Sequence, residues 1–541
     1  MKADSGVLKR RMNLEKEYNL LSEPWIKVVD QNNMMQEVSL CDFFHNAHKY
    51  KQLAGETVTQ DVAVYRILQA IVSTVFYRYD LEGKKANIVD AFDPEEEVLN
   101  RFKMYWEKES FDGKVFTEYL NEFHERFYLF HPETPFWQVN EMPREATSYK
   151  IINLYGNMKE SNNVATKHHF HVKDGMAAEN ISYAEAARWL IYTNAYSVNV
   201  KTKVDGMNKA TGVGRLGQLG FFMADESNLF KKLLINLCAL DKDNRTWENP
   251  NPIWEQKPRK HPGVEISPPD NLPEMYTLQS RRILLKREEK KITGFSSIGG
   301  DYYNTVNDLS EPMTLLYRKE KEGTIHPKKH RKEVMVWREI PCVLTLTDDT
   351  TPGLIIWLKY LKNNGILDKN KYITFKMIGL EYGDGMSYTN GEIYNQSLSL
   401  SKDLMENVGG SWSRLIIDEV GKCEEVTGKA FYVFVKNLCE KIYGGDPNQR
   451  KKLGVAMTEE YYYGVDRKFR EWLSNIEPFC DIKEDRLREW ESISSELAIN
   501  TMKRCLRGVD AARAVMASEA VNAFYVVLHK IYPLDNHRKG G

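Results

Sequence analysis

Cysteine is scarce and unpatterned in this chain. Seven residues are scattered from Cys41 to Cys505, and no C-x-x-C pair occurs. An odd count without ligand spacing argues against a disulfide framework and against a cysteine zinc site. Long apolar runs are missing too. No stretch approaches the ~20 residues that span a bilayer, and the N-terminal MKADSGVLKRRMNLEKEYN lacks the apolar core of a secretory signal. A reducing cytoplasm is the expected setting. An excess of either charge is also lacking: 75 basic residues face 76 acidic ones. Proteins that coat nucleic acid unaided are usually far more basic, so any such contact here is expected to be a local patch. G-x-S-x-G, Walker A and kinase motifs are all absent. No cofactor is expected, and the chain is read as no enzyme.

What is present concentrates in residues 201–220, KTKVDGMNKATGVGRLGQLG. Five glycines and four basic residues stand there against a single acid. Glycine allows φ > 0 and close backbone approach to a ligand, and successive amides can converge on an anion. Lys201, Lys203, Lys209 and Arg215 are expected to surround that backbone with positive charge. Gly212 to Gly217 matches G-x-G-x-x-G literally. The dinucleotide fingerprint needs a strand before it and a helix opening at it, whereas here a polar loop is expected before it and a strand, LGFFMA, after it. A nucleotide-dependent enzyme using 206–220 remains one alternative, and a purely structural scaffold another.

The 541 residues imply several domains on a prior of roughly 150 residues each. Trp25–Val29 and Met35–Val38 read as a hairpin, with Ser39 capping a short helix. Val64, Ile67, Leu68, Ile71, Val72, Val75 and Phe76 keep helical spacing, with Thr59 as the expected cap. Helical text is expected to run to Phe130 and stop at His131-Pro132. A helix is expected near Ala184–Tyr196, a strand at Leu219–Ala224, a helix over Ser227–Leu240, and a loop over 241–275. The charged runs 281–291 and 317–334 read as solvated faces, available to hold phosphates. Lys376–Tyr382, the turn Gly383-Asp384-Gly385 and a return from Ser387 form a hairpin with Met386 at its tip. Beyond residue 400 four long helical periods suggest a bundle. The fold class is therefore α+β, with a mixed domain over 1–398 and a four-helix bundle over 399–541.

His168, His169 and His171 cluster without H-E-x-x-H spacing, so a polar contact loop is preferred to a metal site. Apolar side chains at a tip can act as a wedge in a duplex, which gives Met386 a candidate role beside that of a surface turn.

NLLSEPWIKV (19–28), FYLFHPETPFWQ (127–138), GRLGQLG (214–220), EPMTLLYR (311–318) and GLEYGDGMSY (379–388) occur in an order that resembles the CasA family. That family is the large subunit of the type I-E CRISPR surveillance complex Cascade. The resemblance implies a non-catalytic subunit that reads the protospacer-adjacent motif in double-stranded DNA, starts duplex opening and helps recruit a helicase-nuclease. It places a minor-groove loop at Gly206, Asn208, Lys209, Ala210, Thr211, Gly212 and Gly214. It places a wedge hairpin at Gly383, Asp384, Gly385, Met386 and Ser387, where Met386 stands in place of a glutamine found in some members. A loop toward the guide-RNA handle and other Cascade subunits falls on Ser161, Asn162, Asn163, Lys167, His168, His169 and Phe170. Cysteine pairs that bind zinc in some members are missing, so no metal is implied, and a lysine of some members falls near Asp301.

Overall fold

The structure is a computed structural model. It describes residues 16–156, 181–199, 201–204, 207–210, 212–259, 262–344, 349–367, 372–386, 389–405, 410–507 and 511–533. The described residues form two compact units. One draws on Met1–Lys332, Pro352–Ile366 and Lys376–Asn395, the other on Glu333–Thr351, Leu367–Phe375 and Gln396–Gly541.

The first unit is mixed α and β. Strand β1 (Ile26–Asp30) pairs antiparallel with β2 (Met35–Val38), Ile26 opposite Val38. Ser39 Oγ accepts from the Asp42 amide and opens α1 (Leu40–Asn46), as its position before an apolar stretch predicts. Strand β3 (Tyr50–Leu53) adds to the free edge of β1. Helix α2 (Val58–Arg78) is capped by Thr57, not Thr59. Thr57 has the extended φ/ψ that a cap needs and its hydroxyl accepts from the Gln60 amide, whereas Thr59 is already inside the first turn and buried. Helix α2 is buried on nearly every side, and several of its polar groups find partners in the interior. Gln69 donates to the Leu233 and Asn236 carbonyls, and Arg66 pairs with the equally buried Glu311.

Helices α3 (Pro94–Lys108) and α4 (Gly113–Glu122) come after it. The expected helix to Phe130 ends earlier, because Tyr128–Phe130 is a strand paired with Glu17–Asn19. Its aromatic residues suit a pleated surface better than a helix. Helix α5 (Tyr183–Tyr196) is capped by Ser182. Strands β4 (Lys201–Val204) and β5 (Met207–Ala210) form a hairpin, and β6 (Phe221–Asp225) comes next. Helix α6 (Leu229–Ile235) is shorter than its periodicity suggests. The Asn236 side chain accepts from the Ala224 amide and donates to the Ala224 carbonyl, both at 2.8 Å, and holds the chain against β6 instead.

The charged run at 281–291 is a solvated face only in its second half, where Lys286 and residues 288–291 are exposed. It opens as β7 (Arg281–Glu288), paired with β8 (Lys291–Gly299), which also pairs with Thr147–Lys150. Arg281 and Arg282 are both 1% exposed. Arg282 pairs with Asp301 at 2.7 Å, and Arg287 pairs with Glu17. These guanidiniums are committed to the interior and do not await phosphate. The second charged run forms a short hairpin, Leu316–Arg318 with Ile325–Pro327. It leads into His330, which burial pushes down to about 4 and which donates to the Phe221 carbonyl. Strand β9 (Tyr372–Tyr382) lies between β6 and β10 (Thr389–Ser401) in a three-stranded sheet.

The second unit carries the helical bundle. Helix α7 (Gly410–Glu425) continues through a π-helical turn, Val426–Phe431, into α8 (Tyr432–Ile442). Gly444 and Gly445 take positive φ and end that rod. Helices α9 (Pro447–Ser474), α10 (Lys483–Leu506) and α11 (Ala511–Ile531) complete four rods. Helix α8 packs on α11, where Phe434 and Phe524 lie at a steep angle, and α9 packs on α10, where Phe469 meets Trp490 edge-on.

Candidate nucleic-acid interface

The glycine-rich stretch begins as a hairpin. Lys201 lies opposite Ala210, Thr202 opposite Lys209, Lys203 opposite Asn208, and Val204 opposite Met207. Asn208, Lys209 and Ala210 thus sit on β5. Gly206 and Thr211 lie outside the described residues, as does the whole 161–171 loop with Ser161, Asn162, Asn163, Lys167, His168, His169 and Phe170.

Each glycine beyond the hairpin has its own reason. Gly212 has φ +71°, a left-handed conformation that glycine adopts without the Cβ penalty. Gly214 is buried, and a Cβ there would lie 2.5 Å from the Ala195 carbonyl carbon at the end of α5. A Cβ on Gly217 would collide with the Tyr382 hydroxyl, and one on Gly220 with the Lys328 carbonyl. The literal fingerprint therefore reflects close packing of this protein's own backbone. The strand before Gly212 is antiparallel to its neighbour. After Gly214 the chain makes a four-residue 3₁₀ turn, Arg215–Gln218, and runs straight into β6. That is not the strand–helix–strand crossover of a dinucleotide site.

Arg215 does not add its charge to the hairpin surface. It is 7% exposed, its guanidinium stacks on the Tyr303 ring at 4.1 Å, and it sits 3.7 Å from Asp308. Its flat, weakly hydrated head suits an aromatic face in the interior. Asp301 is likewise internal. Burial raises its affinity for a proton, but the Arg282 and Arg259 guanidiniums outweigh this and hold the carboxyl below its usual range.

The neck of the hairpin is closed by Arg281. Its Nη2 donates to Val198 O at 2.9 Å and to Gly212 O at 2.6 Å, the residues on either side of the β4–β5 pair. Its Nη1 donates to Ser280 O. The Gly214 amide donates across the same neck to Ser197 O at 2.8 Å. Burial pushes the Arg281 guanidinium down to about 10, and carbonyl oxygens take its hydrogen bonds. The Asn194 side chain accepts from the Arg281 amide at 2.9 Å and ties β7 to α5.

The second candidate element meets this neck. Between β9 and β10 the chain turns through Asp384–Met386, with Gly385 at φ +61° and Met386 at φ +54°. Left-handed φ is uncommon for a residue with a long side chain. Met386 is 40% exposed, and Lys329 Nζ lies 3.5 Å from its sulfur. The Asn199 amide donates to Met386 O at 2.8 Å, and Tyr382 Oη donates to Tyr196 O at 2.8 Å. The fold thus brings Gly212 and Gly214 together with Gly383, Gly385 and Met386. Ser387 lies outside the described residues. Sequence reasoning missed Arg281, Asn199 and Tyr382. The first was hidden in a charged run, the second carries no motif, and Tyr382 was read only as the end of a strand.

Among the described residues no group of His, Cys, Asp or Glu is arranged to hold a metal ion, and no helix is long and apolar enough to cross a membrane.

A family model described as CRISPR-associated protein Cse1 matches residues 19–500. A curated relative, CRISPR-associated protein CasA/Cse1 of Thermus thermophilus, is 26% identical over 344 residues, spanning 61% of this chain and 61% of the relative. The crystal structure of Thermobifida fusca Cse1 superposes with a TM-score of 0.82 at 23% identity, covering 96% of this chain and 98% of that one. The structure of Thermus thermophilus CasA (Cse1) gives 0.72 at 20% identity, covering 95% and 100%. A chain of a CRISPR RNA-guided surveillance complex gives 0.70 at 14% identity, covering 95% and 100%.

Proposed function

The chain belongs to the Cse1 family of CRISPR-associated proteins, and from that premise we propose that it is the non-catalytic large subunit of a Cascade surveillance complex. In this reading it recognises the protospacer-adjacent motif in double-stranded DNA. The hairpin Lys201–Ala210 and Gly212 enter the minor groove, and the tip Gly383–Ser387 wedges the duplex apart beside it. The 161–171 loop reaches the guide-RNA handle and neighbouring subunits. The bundle over 399–541 serves partner docking, with a helicase-nuclease recruited after target binding.

One observation carries the reading: Gly214, just beyond the glycine hairpin, and the Met386 tip, far apart in sequence, both hydrogen-bond to the segment 197–199 at the hairpin's base. The physics suits the role. The minor groove mostly separates A·T from G·C, so a backbone probe reads shape and tolerates several motifs. Guide pairing then reads the sequence, as in RNA-guided effectors of another class. The balanced charge of 75 basic and 76 acidic residues fits a subunit that acts within a ribonucleoprotein.

The test is duplex binding by the assembled complex, with and without this chain, across a motif library. Gly212→Asp should abolish motif-dependent binding and leave assembly intact, because a carboxylate would face phosphates and strain the left-handed backbone. Unchanged binding would refute the loop assignment and favour a scaffold.

A further inference from the structure

We infer that Arg281 is a positioning residue that makes the glycine hairpin and the Met386 tip engage DNA as one body. The inference rests on the function proposed above and deepens it. Four short bonds converge on residues 196–199. Tyr196 O accepts from Tyr382, and the Asn199 amide donates to Met386 O; both lead to the tip. Ser197 O accepts from the Gly214 amide, and Val198 O accepts from Arg281; both lead to the far side of the hairpin. Arg281 completes the ring through Gly212 O. One four-residue strap is thus shared by both DNA-facing elements, and one guanidinium pins it.

The chemistry of the pin is specific. Arg281 is 1% exposed, and its hydrogen bonds go to three main-chain carbonyls. The planar fork reaches oxygens on separate segments at once, while a lysine ammonium is a point charge on a flexible stem. Burial strengthens each charge-assisted bond and makes losing one costly. Thermal motion that tilts the hairpin must therefore carry the tip with it. Groove docking and the first base-pair opening become a single step.

The experiment uses the assembled complex and a fluorescent base analogue next to the motif. It follows association and base-pair opening separately, together with hydrogen exchange at the Asn199 and Gly214 amides. In the native complex opening should follow association without a lag. Arg281→Lys should speed exchange at both amides. It should also cut the opening rate by about tenfold, equivalent to about 1.4 kcal/mol, while association changes less than about threefold (about 0.7 kcal/mol on the same scale). Tyr382→Phe, which removes one bond of the ring and keeps the aromatic face, should shift the same ratio in the same direction and serves if Arg281→Lys does not fold. Equal losses in association and opening would reduce Arg281 to a general support of the fold and overturn the inference. Faster exchange with an unchanged ratio would overturn it as well. If Gly212→Asp leaves motif-dependent association intact in the same assay, the proposed function itself fails. If Gly212→Asp abolishes it and the Arg281 and Tyr382 variants leave the ratio untouched, only the coupling fails.

Discussion

The amide of Asn199 and the carbonyl of Met386 are 2.8 Å apart, and this bond joins the base of the glycine hairpin to the tip between β9 and β10. Met386 holds a left-handed backbone there while its side chain stays 40% exposed. Shortening the 383–387 tip should slow strand opening by the assembled complex more than it weakens initial duplex association. Equal effects on both would argue against a wedge.

The glycines of the fingerprint should separate by stability. Gly214→Ala and Gly217→Ala place a Cβ against the Ala195 carbonyl and the Tyr382 hydroxyl, and overpacking of this kind costs about 1–3 kcal/mol. Gly212→Ala meets only the Gln218 amide at 3.5 Å, so its cost is the left-handed backbone alone, roughly 1 kcal/mol. Denaturant unfolding of the three variants checks the order. A smaller loss at Gly214 than at Gly212 would contradict the packing described.

Arg66 and Glu311 pair in the core, 3% and 2% exposed. Removing one partner of such a pair leaves an uncompensated charge, at about 3–5 kcal/mol. Glu311→Ala should therefore destabilise the first unit far more than Lys319→Ala, whose partner Glu322 is solvated. Thermal unfolding distinguishes them.

Glu419 in the bundle gives a pH signature. Burial raises its carboxyl from 4.5 to about 7, against the opposing pull of Lys422. A raised carboxyl favours the protonated folded state. Its contribution is fully present below pH 4.5 and is lost as pH rises through about 7. Glu419→Gln should raise the unfolding temperature at pH 8 and leave it nearly unchanged at pH 4. The opposite pattern, a loss confined to pH 8, would show that the ion pair with Lys422 dominates.

Local structure was legible where side chain and backbone agree. Ser39 before an apolar stretch, the Val64–Phe76 spacing, the turn at Gly383 and the four periods after residue 400 all appear as elements of the expected kind. Most of the misreadings share a cause. Thr59 was a local slip of two residues, whereas the run to Phe130, the Ser227–Leu240 helix and the charged 281–291 segment each depend on a partner outside the segment itself. Asn236 turns back to Ala224, Tyr128–Phe130 pairs with Glu17–Asn19, and Arg282 finds Asp301. Local charge says nothing about such partners. At the candidate site, glycine content marked the segment but suggested a polar loop where a hairpin stands, and the Gly383-Asp384-Gly385 turn marked the tip. The strap at 196–199 that joins them had no signature, because main-chain carbonyls are present at every residue.

The π-helical turn at Val426–Phe431 sets the grammar of length for the bundle. An α-helix advances about 100° per residue, so the extra residue in a π turn shifts the phase between its two ends. Trp412, Ile416, Val420 and Cys423 before the turn, and Phe434, Val435 and Leu438 after it, are all buried. The turn holds one residue more than the same length of regular helix would. Deleting Gly428, whose own side-chain space is open, should leave an ordinary α-helical turn with both halves of the apolar stripe still facing inward.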